Sequence, residues 1–451
     1  MLRREFLAQS AAFATVMAVG SSANAHGLFG TADAQLEEYG IRRNSTDDQS
    51  AEFRRLLRDA AKRDLPVMLS AGRFRMADIQ LPPDIALIGI PGLTIIEFSG
   101  GDFLMRASDS GAVRFDGITF DGGQSAVADD LQGLLHLERC SDVSLSNCVF
   151  ARSAGCGVSL IACGGSVRDC RIEAVSGACG LYALDSAGLT ISSNSVRDCA
   201  DGGILIHRSK KGEDNTIVSN NRVEKIRAAS GGTGQFGNGI NLFRAGGVIV
   251  SNNHVTDCAF SGIRANSADN AQMSGNSILR SGETALYAEF SFEGSVITGN
   301  LIDGAANGIS IANFNEGGRL AVCSNNLVRN LRTDAPYQSD VGGFGTGIYA
   351  EADTALTGNV IESAPSFGIL LGWGAYLRNV TASHNIIRNA GHGIGVSVDD
   401  GIGKAAVTDN MISGSSHGAI VGHDRETIVT GDLALQQTTH PALTIEGNII
   451  N

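Results

Sequence analysis

Tyr287 with Glu289, and Tyr349 with Glu351, stand at matching places in a repeating pattern. Two carboxyl groups facing each other across a sugar-sized gap can hydrolyse a glycosidic bond, one as acid and one as base. Strands stacked at about 4.8 Å would set the backbones of Glu289 and Glu351, two strands apart, roughly 10 Å apart. Leaning side chains would then bring the carboxyls toward the ~6.5–9.5 Å typical of inverting enzymes. Glu289 and Glu351 are therefore the candidate catalytic residues. Arg264 with Tyr287 suggests a second chemistry, a lyase or epimerase in which a base works beside a group that neutralises a carboxylate. Asn241, Arg264, Tyr287, Asn313, Tyr349 and Trp373 are the candidate substrate-binding residues, offering aromatic faces for sugar rings and polar groups for hydroxyls. His207, Lys210 and Lys211 mark a basic turn nearby. His392 and His423 read as turn or surface histidines, and His392 with Asp399 and Asp400 forms a reserve candidate.

The elements that must position these residues recur down the chain. Asn, any residue, then Val or Ile, with an apolar residue three positions before the Asn, appears at Asn194, Asn221, Asn253, Asn276, Asn300, Asn326, Asn359, Asn385, Asn410 and Asn448. Cys148 and Cys170 fill the same slot in the two preceding copies. The spacing of about 24 residues, stretched by insertions, marks a solenoid. Each copy holds three short alternating runs, two flanking the Asn and one after a Gly, and alternation at period two means strands with one inward face. The expected fold is all-β: a right-handed, single-stranded parallel β-helix of about a dozen coils. Stacked at a bend, the Asn side chains form an amide ladder, where Asn tolerates left-handed backbone. The Gly before each third run is expected to supply a positive φ.

Residues 47–63 have helical spacing at Phe53, Leu56, Leu57, Ala60 and Ala61, with Asp47 and Asp48 placed to cap. A helix there would cover the open end of the solenoid. The expected organisation is a signal peptide over 1–25 and a β-helix domain over 36–451. Within the domain, 36–75 form the N-terminal cap and first strand, 110–423 the main coils and 424–451 an irregular last coil. Two long insertions, 226–238 and 330–346, precede third runs and are expected to wall a groove.

Arg3-Arg4-Glu5-Phe6-Leu7, a modest apolar stretch to Gly20 and Ala23-Asn24-Ala25 read as a twin-arginine export signal cut before His26. This implies a periplasmic or secreted protein, the twin-arginine translocase as a partner during export, and folding before transport. No other segment is apolar for long enough to span a membrane.

The leader joined to Asn-x-Ile and Gly-Ile-x-Ile coils resembles a family of uncharacterised twin-arginine-translocated β-helix repeat proteins. More broadly the layout is similar to the pectate-lyase-like superfamily, which includes pectate lyases, polygalacturonases and alginate epimerases. That resemblance implies a substrate groove on the strand after the Gly. Gly391-His392-Gly393 is similar to a polygalacturonase motif, but Asp399 and Asp400 follow it where acidic residues should precede. The Asp-Pro-His-Asp motif of alginate epimerases is absent.

A net charge of −13 argues against nucleic acid and a generally polyanionic partner. Gly is 58 of 451 residues and aromatics only 6 %, which suits many tight turns around an aliphatic core. Seven of the nine cysteines lie between residues 140 and 199. They align as ladders on different sides of adjacent coils, so they do not converge on a metal, and buried free thiols are expected. No metal and no cofactor are expected, although an unidentified periplasmic cofactor is a third, weaker reading drawn from the export route. The first reading is a polysaccharide-binding or polysaccharide-cleaving enzyme, hydrolase or lyase. Its rival is a non-catalytic glycan-binding or envelope-structural solenoid.

Overall fold

The computed structural model describes residues 32–128, 133–337, 343–435 and 440–451. The leader at 1–25 lies outside them. Strands begin at Val67 and wind into a solenoid of about 14 turns, each strand hydrogen-bonded to its equivalents in the coils before and after. Each turn has three strands, for example Ala271–Ser274, Ser277–Leu279 and Thr284–Glu289. These pair in parallel with Glu293–Thr298, Leu301–Asp303 and Asn307–Ile311 of the next coil. The exception is near the end, where Thr427–Asp432 runs antiparallel to Ile420–Asp424.

Coils occupy more of the chain than 110–423. Gly72–Met76, Thr94–Phe98 and Ile118–Asp121 already stack in register. The motif missed them because Thr94 and Ile118 stand where later coils have Asn. Helix Ser50–Lys62 packs on the first strands and buries Phe53, Leu56, Leu57 and Ala60. The N-cap is Gln49, without a side-chain cap bond, and Asp48 before it accepts from Ser50 N at 3.0 Å and Ser50 Oγ at 2.9 Å. Asp47 instead accepts from Ser45 Oγ.

The amide ladder is continuous. Asn221 Nδ2 donates to Asn253 Oδ1 at 3.0 Å and to the Ile191 carbonyl at 2.9 Å, while its Oδ1 accepts from Asn194 N and Nδ2 at 3.0 Å. The scheme repeats to Asn410, which donates from N and Nδ2 to Asn448 Oδ1. Every ladder Asn from Asn194 to Asn410 is buried.

Two expectations about the bends need correction. The left-handed residue is the one before the Asn: Asn220, Asn252 and Asn325 have φ of 57°, 56° and 56°. That residue makes the turn, which frees the ladder Asn to point inward. The Gly opening the third strand is likewise not chosen for positive φ, which among those copies occurs only at Gly418. Its reason is space. A Cβ on Gly203 or Gly308 would lie 2.2 Å from the carbonyl oxygen of Gly239 or Gly347 in the next coil. A side chain at either of these two positions would press on the next coil, although Ala285 fills the same slot elsewhere.

Candidate functional site

The third strands carry an outward row in which Asn241, Arg264, Tyr287, Ser310, Tyr349 and Leu370 are register partners in successive coils. Phe243, Asn266 and Glu289 form a second row. The strand Asn307–Ile311 separates those leading to Glu289 and Glu351, so the two glutamates are two coils apart, as the spacing implied.

A cleft of about 260 Å³ opens on this face. Tyr287, Ser310 and Tyr349 contribute to its lining from the strands, Glu283 and Asn307 from strand entries, and Trp373 from the turn after Leu371. Tyr337, Phe344 and Thr346 come from the 330–346 insertion, including its last residue. That insertion folds back over preceding coils. Tyr337 stacks on Phe260 with ring centroids 6.0 Å apart and meets Phe344 edge-on at 5.6 Å. Asn307 Oδ1 pins the insertion's end, accepting from Gly345 N at 3.1 Å and Thr346 N at 3.0 Å. The 226–238 insertion is held by Arg264 Nη1, which donates to the Gly234 carbonyl, as does Asn238 Nδ2 at 2.9 Å.

Of the candidate residues, Tyr287, Tyr349 and Trp373 line the cleft, whereas Arg264, Glu289, Glu351, Asn241 and Asn313 do not contribute to its wall. Glu289 is buried and accepts from Arg264 Nε at 2.5 Å and Asn266 Nδ2 at 3.0 Å. Burial raises its carboxyl above the usual range against the opposing pull of Arg264. Arg264 is similarly penalised by burial, yet Glu289 holds its guanidinium above its ordinary value. The guanidinium carbon also sits 5.5 Å from the centre of the Tyr287 ring. Glu351 accepts from Tyr349 OH and from Phe314 N at 2.5 Å, and burial raises its carboxyl too. Asn313 occupies a left-handed turn at φ 70° and accepts from Phe290 N through Oδ1. Asn241 Oδ1 is buried without a hydrogen-bond partner.

The sequence reading missed Glu283 and Tyr337. Glu283 is 2 % exposed; its Oε1 accepts from Tyr337 OH at 2.6 Å and its Oε2 from Ser261 Oγ at 2.9 Å. The signal was present: Glu283 stands two residues before Ala285, which replaces the repeating Gly, and Tyr337 lies in a flagged insertion. Burial, with nearby carboxylates, holds the Tyr287, Tyr337 and Tyr349 phenols above their ordinary range. They therefore stay protonated at neutral pH and make poor bases.

The histidines depart from expectation. His207 is half-buried between Tyr182 and Phe243, with ring centroids 5.6 Å away on each side. His423 is 1 % exposed rather than on the surface. His392 stacks on Phe367 at 4.9 Å, and Asp399 pairs with Arg425 at 3.6 Å. All nine cysteines are buried. Cys156 and Cys179 stack with their sulfurs 3.3 Å apart. Among the described residues, no group of three or more His, Cys, Asp or Glu side chains could hold a metal ion, and no helix is long and apolar enough to cross a membrane.

The winding, the repeated coil and the outer-strand cleft define a parallel β-helix. The family model for the right-handed β-helix region matches residues 94–241, 156–320 and 212–379, together more than half of the chain. The chain belongs to that family. No curated protein sequence matches it. Among solved structures it is similar to the bacteriophage phi29 gene product 12, at 16 % identity and TM-score 0.51, over 89 % of this chain and 58 % of that one. The chain thus spans little more than half of the phage protein. It is also similar to a GH87 α-1,3-glucanase catalytic unit from Streptomyces thermodiastaticus, at 15 % identity and TM-score 0.42, over 92 % of this chain and 68 % of that one. The Azotobacter vinelandii mannuronan C-5 epimerase AlgE6 A-module matches at 14 % identity and TM-score 0.39, over 92 % of this chain and 98 % of that one. At 16 % identity the likeness to the phage protein is one of fold.

Proposed function

We propose that this protein binds a polysaccharide along the outer strand face, with the Tyr287–Tyr349–Trp373 cleft as the seat of recognition. One observation carries this reading: an insertion folds back to close a partly aromatic cleft on the row the repeat presents outward. Aromatic faces suit sugar rings, and Ser310, Thr346 and Asn307 suit hydroxyls. Binding is favoured over cleavage because the described residues do not assemble two carboxyls in the cleft wall. Glu289 and Glu351 are each held by protein donors, and the protonated phenols do not serve as the base of an elimination.

Hydrolysis is the second reading, favoured by Glu283, a carboxylate in the cleft lining whose bond to Tyr337 fixes its orientation. Purified protein is tested on a polysaccharide panel by affinity electrophoresis, with reducing ends and unsaturated products measured in parallel. Binding without products supports the first reading. Products lost in Glu283→Gln, Glu289→Gln or Glu351→Gln establish the second and identify its carboxyls. Export by the twin-arginine translocase to the periplasm or beyond belongs to the same proposal. It predicts a mature N-terminus at His26 and retention in the cytoplasm when Arg3 and Arg4 are both replaced by Lys.

A further inference from the structure

We infer that the cleft selects a neutral glycan and rejects polyuronates. The inference rests on the glycan reading above and narrows its substrate class. Its starting point is the ionisable groups around the cleft. Among the described residues that line it there is no Lys, Arg or His, and one carboxylate, Glu283. A uronate-binding site needs a cation whose hydrogen-bond donors remain available to the ligand. Arg264 is the nearby candidate, and it is committed: Nε donates to Glu289, Nη1 donates to the Gly234 carbonyl, and only 12 % of its side chain is exposed.

The fixed charge points the same way. Glu283 and Glu289 act on the same phenol, Tyr287, and are opposed there by Arg264. Glu351 acts on Tyr349 from the other side, with no cation among the groups that shift that phenol. A polymer carrying one negative charge per residue would enter an acidic field, with the whole chain at −13 reinforcing it. Glu283 itself is 2 % exposed, and its oxygens accept bonds from Tyr337 and Ser261, so it is held by the protein. What remains for a ligand is ring faces and small hydroxyl- and amide-bearing groups, the means of recognising uncharged hydroxyls. The volume, about 260 Å³, falls just below the ~300–1,000 Å³ of ordinary ligand pockets. The cleft therefore grips a short stretch of a longer chain lying along the strands.

The test uses the full mature chain with soluble β-glucan, α-glucan, galactomannan, polygalacturonate and alginate, each at low and physiological salt. The expected result is binding of at least one neutral polymer with little salt dependence, and at least tenfold weaker binding of both polyuronates. Trp373→Ala, in a half-exposed turn, should weaken the neutral polymer at least tenfold without changing the melting temperature. Ser310→Arg should create polyuronate binding by placing an uncommitted guanidinium in the cleft. Preferred binding of a polyuronate, lost in Trp373→Ala, overturns this inference and leaves the glycan reading standing. Binding of no polymer overturns both. Neutral-polymer binding indifferent to Trp373→Ala also overturns the inference, because recognition then lies on another face.

Discussion

His207 shows how a chemically capable residue can be turned to packing. Wedged between two aromatic rings, it has its pKa lowered by burial to about 4. The unfolded chain titrates near its ordinary value of 6.5. Protonation therefore favours the unfolded state, and the stability this residue contributes is fully present above about pH 6.5. It is lost progressively as pH falls from about 6.5 to about 4, to a total of roughly 3 kcal/mol. Denaturant melts at closely spaced pH values should show that slope, and His207→Phe should flatten it. An unchanged slope in the variant would mean that other groups carry the acid sensitivity. The sequence placed His207 in a basic turn because charge is visible in a sequence while burial is not. The same limit hid the commitment of Glu289 to Arg264, since a carboxylate at an outward register position reads alike whether it faces solvent or a guanidinium.

At the scale of the element, the Asn ladder and the third strand were legible because each repeats in every coil with little variation. Their local physics was not. Which residue of a bend takes positive φ, and whether a Gly answers a dihedral or a steric demand, depends on the neighbouring coil, and the neighbouring coil is absent from a local motif. Asn276 is buried and makes four ladder bonds, donating from Nδ2 to Val250 O and Asn300 Oδ1 and accepting from Asn253 N and Nδ2. Asn276→Ala should cost about 1–3 kcal/mol, since it strands buried donors and acceptors. Asn448→Ala, at a half-exposed rung, should cost under about 1 kcal/mol, because water replaces what is lost. Equal losses of stability in the two variants would refute a ladder whose strength depends on burial.

Across the whole molecule, the solenoid and its direction of winding could be read from one short motif, and the coils before residue 110 could not, because they lack it. The cleft was half visible. Its strand residues follow the repeat, while Glu283 and Tyr337 meet across 54 residues through an insertion that no periodicity describes. The cysteines give a test at this scale. All are buried in the stacked coils, so native thiol labelling should be slow and should reach nine equivalents on denaturation without reductant. Fewer equivalents would show that some are oxidised. The ladder has one more consequence, for how such a molecule is built. Its bonds are not symmetric along the axis: each Asn from 194 to 410 sends two donors forward to the oxygen of the next coil. A partly wound chain therefore ends in a coil with two unsatisfied N–H groups, poised to capture an amide oxygen from the segment that follows. Winding in that direction is templated rung by rung. At Asn448 the side-chain amide also turns back onto the Glu446 carbonyl at 3.2 Å, so there one of the two forward donors is satisfied within its own coil.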